Sequence, residues 1–252
     1  MKLTLEVYRQ ASPDAAGHFE SHQVDGLDPT MSILDALDTL NDQLVRDGKE
    51  AVAFESDCRE GICGVCGLTV NSRPHGPTPN MTACHQRLMS FHDGDTVRLE
   101  PLRSAAFPVQ RDLIVARDHL DDVVQSGAWV SIDAGTAPDA DTVLTTAEVS
   151  ERALTFAACI GCGACVAACP NGSAQLFVGA KLAHLATLPI SQPEARKRAR
   201  TMVAVADANF GPCSLHGECA KVCPQSIPLA AVAAVPKERI RALRTDAHSA
   251  NG

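Results

Sequence analysis

Apolar and polar residues alternate from the first positions of the chain. Leu3, Leu5 and Val7 are separated by Thr4 and Glu6, the two-residue period of a half-buried strand. A weaker alternation over His18–Val24 predicts a second strand. Between Ser32 and Val45 the period lengthens, and Ile33, Leu34, Leu37, Leu40 and Leu44 fall on one helical face. Short apolar runs at 51–54, 67–70 and 96–100 read as further strands, the last introduced by the turn Asp93-Gly94-Asp95. Residues 1–106 therefore predict a small α+β unit with a mixed sheet. Residues 107–150 read as a connector, helical in pattern over 112–124 and rich in Gly, Pro and Asp over 127–142. Residues 151–252 read as a second, α-helical, Ala-rich unit. It holds an amphipathic helix over 193–208 and two more helices, 228–235 and 237–243, separated by Pro236.

A length of 252 residues leaves room for one or two domains. Acids outnumber bases by 30 to 22, a net charge of −8. Such a chain is a poor nucleic-acid binder, because that affinity comes from neutralising phosphates. With 17 Gly and 15 Pro the composition is ordinary, which excludes collagen-like and low-complexity classes. The N-terminus reads as a strand, not as a signal or transit peptide, and a reducing cytoplasm fits. Residues 153–180 carry no charge, but four Cys, several Gly and Pro, Asn171 and Ser173 interrupt them. That stretch reads as a buried segment wrapped around a cofactor, and no membrane span is expected. The run Arg196-Lys197-Arg198-Ala199-Arg200 reads as the wet face of a helix whose dry face is Met202, Val203 and Val205; contact with anionic lipid is the alternative. The charge-free stretch 222–235 reads as a partial docking surface or as plain helical core. His85 and His184 stand in no partner pattern and read as ordinary histidines.

Cysteine is the unusual residue of this chain. All eleven fall in three windows, 58–84, 159–169 and 213–223. An odd count clustered in this way points to ligation, since packing cysteines would be scattered and disulfides would leave a thiol over. In the first window Cys58, Cys63 and Cys66 follow the C-x4-C-x2-C spacing, with Cys84 further on, the pattern of a plant-type [2Fe–2S] site. Gly61, Gly64 and Gly67 interleave with these ligands and let backbone amides approach sulfur. A zinc knuckle is the alternative, but it needs two separated ligand pairs. The second window, Cys159, Cys162, Cys165 and Cys169 before Pro170, is a full C-x2-C-x2-C-x3-C-P run. In two-cluster proteins the fourth Cys of such a run serves the other cluster. The third window has the same frame, Cys213, Cys219 and Cys223 before Pro224, with His216 where a second Cys would stand. Crossing gives Cys159, Cys162, Cys165 and Cys223 to a [4Fe–4S] cluster. It leaves Cys169, Cys213 and Cys219 for a second centre one thiolate short, which can persist as [3Fe–4S]. His216 remains open between three roles: a ligand, a donor that tunes the centre's potential, and a filler of the vacated position.

With these motifs in this order, the chain resembles the iron–sulfur subunit of succinate dehydrogenases and fumarate reductases along nearly its whole length. The wording of Cys58-Arg59-Glu60-Gly61-Ile62-Cys63-Gly64 and of Arg73-Pro74-His75-Gly76-Pro77 resembles most the bacterial subclass that works with a haem-containing anchor and often with menaquinone. The resemblance implies a β-grasp [2Fe–2S] ferredoxin domain over 1–106 and an α-helical ferredoxin domain over 151–252. It implies a flavoprotein partner with covalent FAD and a haem-containing membrane anchor, and so a peripheral place on the cytoplasmic side of the cell membrane. Electrons would run from flavin through [2Fe–2S], [4Fe–4S] and [3Fe–4S] to quinone or haem, and the chain would bind no dicarboxylate itself. The pattern departs at one place. Ubiquinone-reducing members carry a Trp shortly after the first Cys-Pro, whereas this chain reads Pro170-Asn171-Gly172-Ser173-Ala174 and has its single Trp at 129. Electrons are therefore expected to leave toward a quinone or haem held by the anchor. The rival readings are a fumarate reductase running in reverse, a subunit serving another flavoenzyme, and a zinc-stabilised scaffold without redox chemistry.

Overall fold

The computed structural model describes residues 1–129, 145–190 and 192–243. Strand β1 (Leu3–Arg9) pairs antiparallel with β2 (His18–Val24), in register from Leu3 opposite Val24 to Arg9 opposite His18. Helix α1 (Ile33–Arg46) follows, then β3 (Leu68–Val70), β4 (Arg73–Pro74) and β5 (Thr96–Pro101). The sheet order is β2-β1-β5-β3-β4, with β1 and β5 parallel and the other pairs antiparallel. The alternation read from the sequence is the one buried. Leu3, Leu5 and Val7 join Val97 and Leu99 under Ile33, Leu34, Leu37 and Leu40 of α1 in one core. A mixed sheet packed on a single helix is the expected β-grasp arrangement.

A capping box starts α1. Ser32 Oγ accepts from the Asp35 amide at 3.2 Å, and the Ser32 amide donates to Asp35 Oδ2 at 2.7 Å. Asp35 and Asp38 then accept from Arg59 of the first cysteine loop at 3.2 and 2.6 Å, which ties that loop to the helix.

Residues 51–54 form no strand. Side chains take the hydrogen bonds a ladder would have used. The Val52 amide donates to Asn41 Oδ1 at 2.7 Å, Asn41 Nδ2 donates to the Val52 carbonyl, and the Ala53 amide donates to Asp112 Oδ2 at 2.8 Å. Asp112 also corrects the helix expected over 112–124. It is buried at φ 46°, with its other oxygen accepting from the Gln10 amide at 2.9 Å. The chain there is the hairpin β6 (Val109–Arg111) and β7 (Ile114–Val115), and α2 (Asp118–Val123) begins only afterwards. The loop expected over 127–142 lies outside the described residues from position 130 on.

From Leu102 and Phe107 onward, side chains pack into a second core. The helices that follow are α3 (Ala147–Ala157), α4 (Ala164–Ala167), α5 (Gln175–Thr187), α6 (Gln192–Asn209), α7 (Glu218–Lys221) and α8 (Ala234–Leu243); α4, α5, α6 and α8 supply this core, while α3 and α7 pack through Phe156 and Cys219 against a smaller cluster. Helix α5 is buried nearly all round, through Leu176, Phe177, Val178, Ala180, Leu182 and Leu185, as a central helix must be. Pro236 does not divide one helix from another. A 3-10 turn over Leu229–Ala233 leads into α8, and Pro236 sits in its first turn, where a missing N–H costs nothing. Nor is the basic run a uniformly wet face. Arg198 is buried, donates to Glu194 Oε1 at 2.6 Å and to the Trp129 carbonyl at 2.6 Å, and lies 4.6 Å from the Trp129 ring centre. The 222–235 stretch is mixed: Pro224, Ile227, Ala231, Val232 and Val235 are buried, whereas Ser226, Leu229, Ala230 and Ala233 are exposed. Among the described residues no helix is long and apolar enough to cross a membrane.

Candidate iron–sulfur centres

Two short helices begin alike. Gly163 (φ 84°) and Gly217 (φ 81°) occupy the left-handed region immediately before α4 and α7, and each helix carries the third cysteine position of its run, Cys165 or Cys219. Only a residue without Cβ adopts that turn freely. The match extends one turn earlier. Gly161 at φ 65° in the first run corresponds to Leu215 at φ 59° in the second.

The runs wall two cavities, and they cross. Cys159, Cys162 and Cys165 of the first run line a cavity of about 20 Å³ together with Cys223 of the second. Cys169 leaves its own run and lines another cavity, also of about 20 Å³, with Cys213 and Cys219. His216, Ser173 and Gln175 line that second cavity too, and His216 is exposed. Leu176 of α5 borders both. Apart from Gln225, the other walls of the first are apolar, with Phe177 and Ile227 among them.

Four of the thiols in these cavities are poorly solvated. Burial pushes Cys162 up to about 12 and Cys165 well above an ordinary thiol, and it also raises Cys159 and Cys219. Such groups hold their protons at neutral pH until a metal displaces them. Backbone amides already point at the sulfurs. Ile227 N lies 3.4 Å from Cys223 Sγ, and the amides of Gly161, Ala164 and Ala220 bond to Cys159, Cys162 and Cys219. Amide donors aimed at sulfur and thiols spread round a shared cavity suit a multi-iron cluster. A single zinc ion instead draws four ligands to one point at about 2.3 Å.

The first window is built the same way. The amides of Glu60, Ile62 and Cys63 turn toward Cys58, with Glu60 N at 3.3 Å, and lower that thiol to about 7. Val65 N lies 3.5 Å from Cys63 Sγ. Cys66 and Cys84 are buried neighbours, and burial raises Cys66 to about 12. Cys84 comes from a 3-10 turn, Ala83–His85, whose preceding residue Thr82 sets its buried hydroxyl 3.1 Å from Cys84 Sγ. All four cysteines of the window are thus brought together, as are the two crossed sets.

The first loop touches the wall of the first cavity. A Cβ added at Gly64 would fall 2.5 Å from the Ile160 carbonyl and 3.1 Å from the Cys162 amide. No larger residue fits between the loops. Arg117, at the start of α2, donates across this seam to the carbonyls of Gly64, Val65 and Cys162. Gln225 Nε2 donates to the Gly61 carbonyl at 3.1 Å. The sequence pattern singled out neither Arg117, Gln225 nor Thr82. Thr82, two residues before Cys84, is the one that proximity to a ligand could have flagged.

Comparison with known proteins bears on the same residues. A family model for a 2Fe-2S iron-sulfur cluster binding domain matches residues 4–122, and one for a 4Fe-4S dicluster domain matches residues 158–227. The chain is 31% identical over 234 residues to a fumarate reductase iron-sulfur subunit of Escherichia coli O6:H1, covering 91% of this chain and 90% of that one. It is 31% identical over 237 residues to the fumarate reductase iron-sulfur subunit of Mycobacterium tuberculosis, covering 90% and 87%. It is 27% identical over 230 residues to the succinate dehydrogenase iron-sulfur subunit of Bacillus subtilis, covering 88% and 86%. Among solved structures, a chain of the Mycobacterium smegmatis Sdh1 complex in the apo form shares the fold, with a TM-score of 0.69, 20% identity, and coverage of 97% of this chain and 96% of that one. With its two cluster-binding modules in order and relatives matched from end to end, this chain belongs to the family of succinate dehydrogenase and fumarate reductase iron–sulfur subunits.

Proposed function

We propose that the chain is the electron-transfer subunit of a membrane-associated succinate:quinone oxidoreductase. In this reading Cys58, Cys63, Cys66 and Cys84 hold [2Fe–2S]. Cys159, Cys162, Cys165 and Cys223 hold [4Fe–4S], and Cys169, Cys213 and Cys219 hold [3Fe–4S] with His216 tuning it. The observation that carries the reading is the crossed lining of the two cavities, one with four thiols and one with three. When bound, the clusters supply one-electron centres between a flavin, which releases electrons in pairs, and a quinone or haem.

The chain's residues do the rest. Amides aimed at the ligand sulfurs stabilise added negative charge. The mostly apolar walls of the first of these cavities exclude water and keep the local dielectric low. Gly64 lets two ligand loops meet, and Leu176 of α5 borders both later cavities. Exposed apolar side chains flank both ends of the row, Ile62 in the first loop and Leu215 and Leu229 at the last cavity. They suit a flavoprotein with FAD at one end and a haem-containing membrane anchor at the other, on the cytoplasmic side. Fumarate reduction is the second reading, favoured by the names of the relatives at 31% identity.

Metal and sulfide analysis with EPR tests the proposal. The oxidised protein should give a [3Fe–4S]⁺ signal, and His216→Cys should replace it with a second four-iron signal on reduction. Zinc without acid-labile sulfide would overturn the redox reading, and only two-iron and four-iron signals would overturn the division of ligands. Activity of the assembled complex with succinate and with fumarate separates the two directions.

A further inference from the structure

Arg117 is out of place for a surface arginine. Its side chain is only 18% exposed and reaches four acceptors. Nη1 donates to the Gly64 carbonyl at 2.7 Å and the Cys162 carbonyl at 3.3 Å. Nη2 donates to the Val65 carbonyl at 3.1 Å and to Glu55 Oε2 at 3.0 Å. Gly64 and Val65 lie between two thiols of the first loop, and Cys162 is itself a thiol of the second set. The guanidinium therefore spans the seam where Gly64 presses against Ile160 and Cys162. A planar fork holds several fixed acceptors at once, which a lysine ammonium on a flexible stem does not. Three of the four partners are neutral carbonyls, so Glu55, itself 39% exposed, is the single counter-charge among them.

We infer that Arg117 is a positioning residue that locks the [2Fe–2S] loop against the [4Fe–4S] loop and, by its charge, raises the reduction potential of both centres. This rests on the cluster assignment proposed above. Reducing either centre by one electron adds one negative charge beside a fixed cation in a seam of low dielectric, so the reduced state gains more than the oxidised one. Charge and bridging are separable properties of the same side chain.

The test is EPR-monitored redox titration of the iron-loaded protein in its native assembly, for wild type, Arg117→Gln, Arg117→Lys and Glu55→Gln. Arg117→Gln should lower the midpoints of the [2Fe–2S] and [4Fe–4S] centres and leave the [3Fe–4S] midpoint in place, because no partner of Arg117 lines that cavity. Arg117→Lys should restore most of the midpoint while weakening the magnetic interaction between the two reduced centres. Glu55→Gln, which removes the counter-charge and keeps the bridge, should move the same two midpoints upward. A purely structural role would produce no such change of sign. Full iron content with unmoved midpoints in Arg117→Gln would overturn the inference. If that variant fails to load iron, a Glu55→Gln midpoint that stays or falls overturns it equally. Absence of acid-labile sulfide from the wild type would instead sink the cluster assignment beneath it.

Discussion

His75 is buried to 1% exposure, one residue past β4, and its Nδ1 accepts from the Ala83 amide at 3.3 Å. Accepting there requires an unprotonated Nδ1, and no hydrogen-bond partner meets Nε2. Burial first, and then the Arg117 charge, lower its pKa from 6.5 to about 4. Between those values the unfolded chain binds a proton that the folded chain does not. Stability is therefore whole above pH 6.5 and falls as pH drops toward 4, by up to about 3 kcal/mol. Denaturant midpoints from pH 7 to 4 should show this slope in the wild type and lose most of it in His75→Gln; equal slopes would refute it. Legibility at this scale divides by distance along the chain. Cysteine spacing is local, so the ligand sets could be read from the sequence. Arg117 reaches partners 45 to 62 residues away, and Asp112 meets Gln10 across 102. Nothing in an arginine or aspartate names such partners in advance.

Elements followed the hydrophobic period where the period decided the hydrogen bonding. Helix α1 and strands β1 and β5 each bury the stripe that the sequence drew. The period failed where side chains took over the backbone's partners, at 51–54 and at Asp112. A frame of spacings also says nothing about φ. Leu215 holds φ 59° where the first run has glycine, and its side chain is 74% exposed. A leucine in the left-handed region is strained by roughly 1–2 kcal/mol. Leu215→Gly should relieve that strain, less the entropy glycine adds to the unfolded chain, and raise the thermal midpoint of the isolated loaded protein. If binding to a membrane anchor weakens in the same variant, the strain is retained for that exposed side chain. A lower midpoint would refute the strain argument.

At the scale of the molecule the halves are stabilised by different means. The sheet and α1 close a continuous aliphatic core that contains only Cys66 and Cys84 of the cysteines. One core of the helical half is small, Leu176, Ala180, Ile227, Ala231 and Val232, and five cysteine side chains pack against it. Stripping iron should therefore cost the helical half more. Hydrogen exchange after chelation should retain protection at Leu5, Val7 and Leu99 and lose it in α4, α5 and α7. Loss of both halves in one step would show that the sheet also depends on metal. The exchange of Cys169 and Cys223 between the two cavities has a temporal consequence as well. All four thiols of the first window precede residue 85, so that ligand set is complete early in translation. The first of the later cavities is not fully walled until residue 227 has left the ribosome and the second until residue 232, so maturation of the helical half must wait for both cysteine runs.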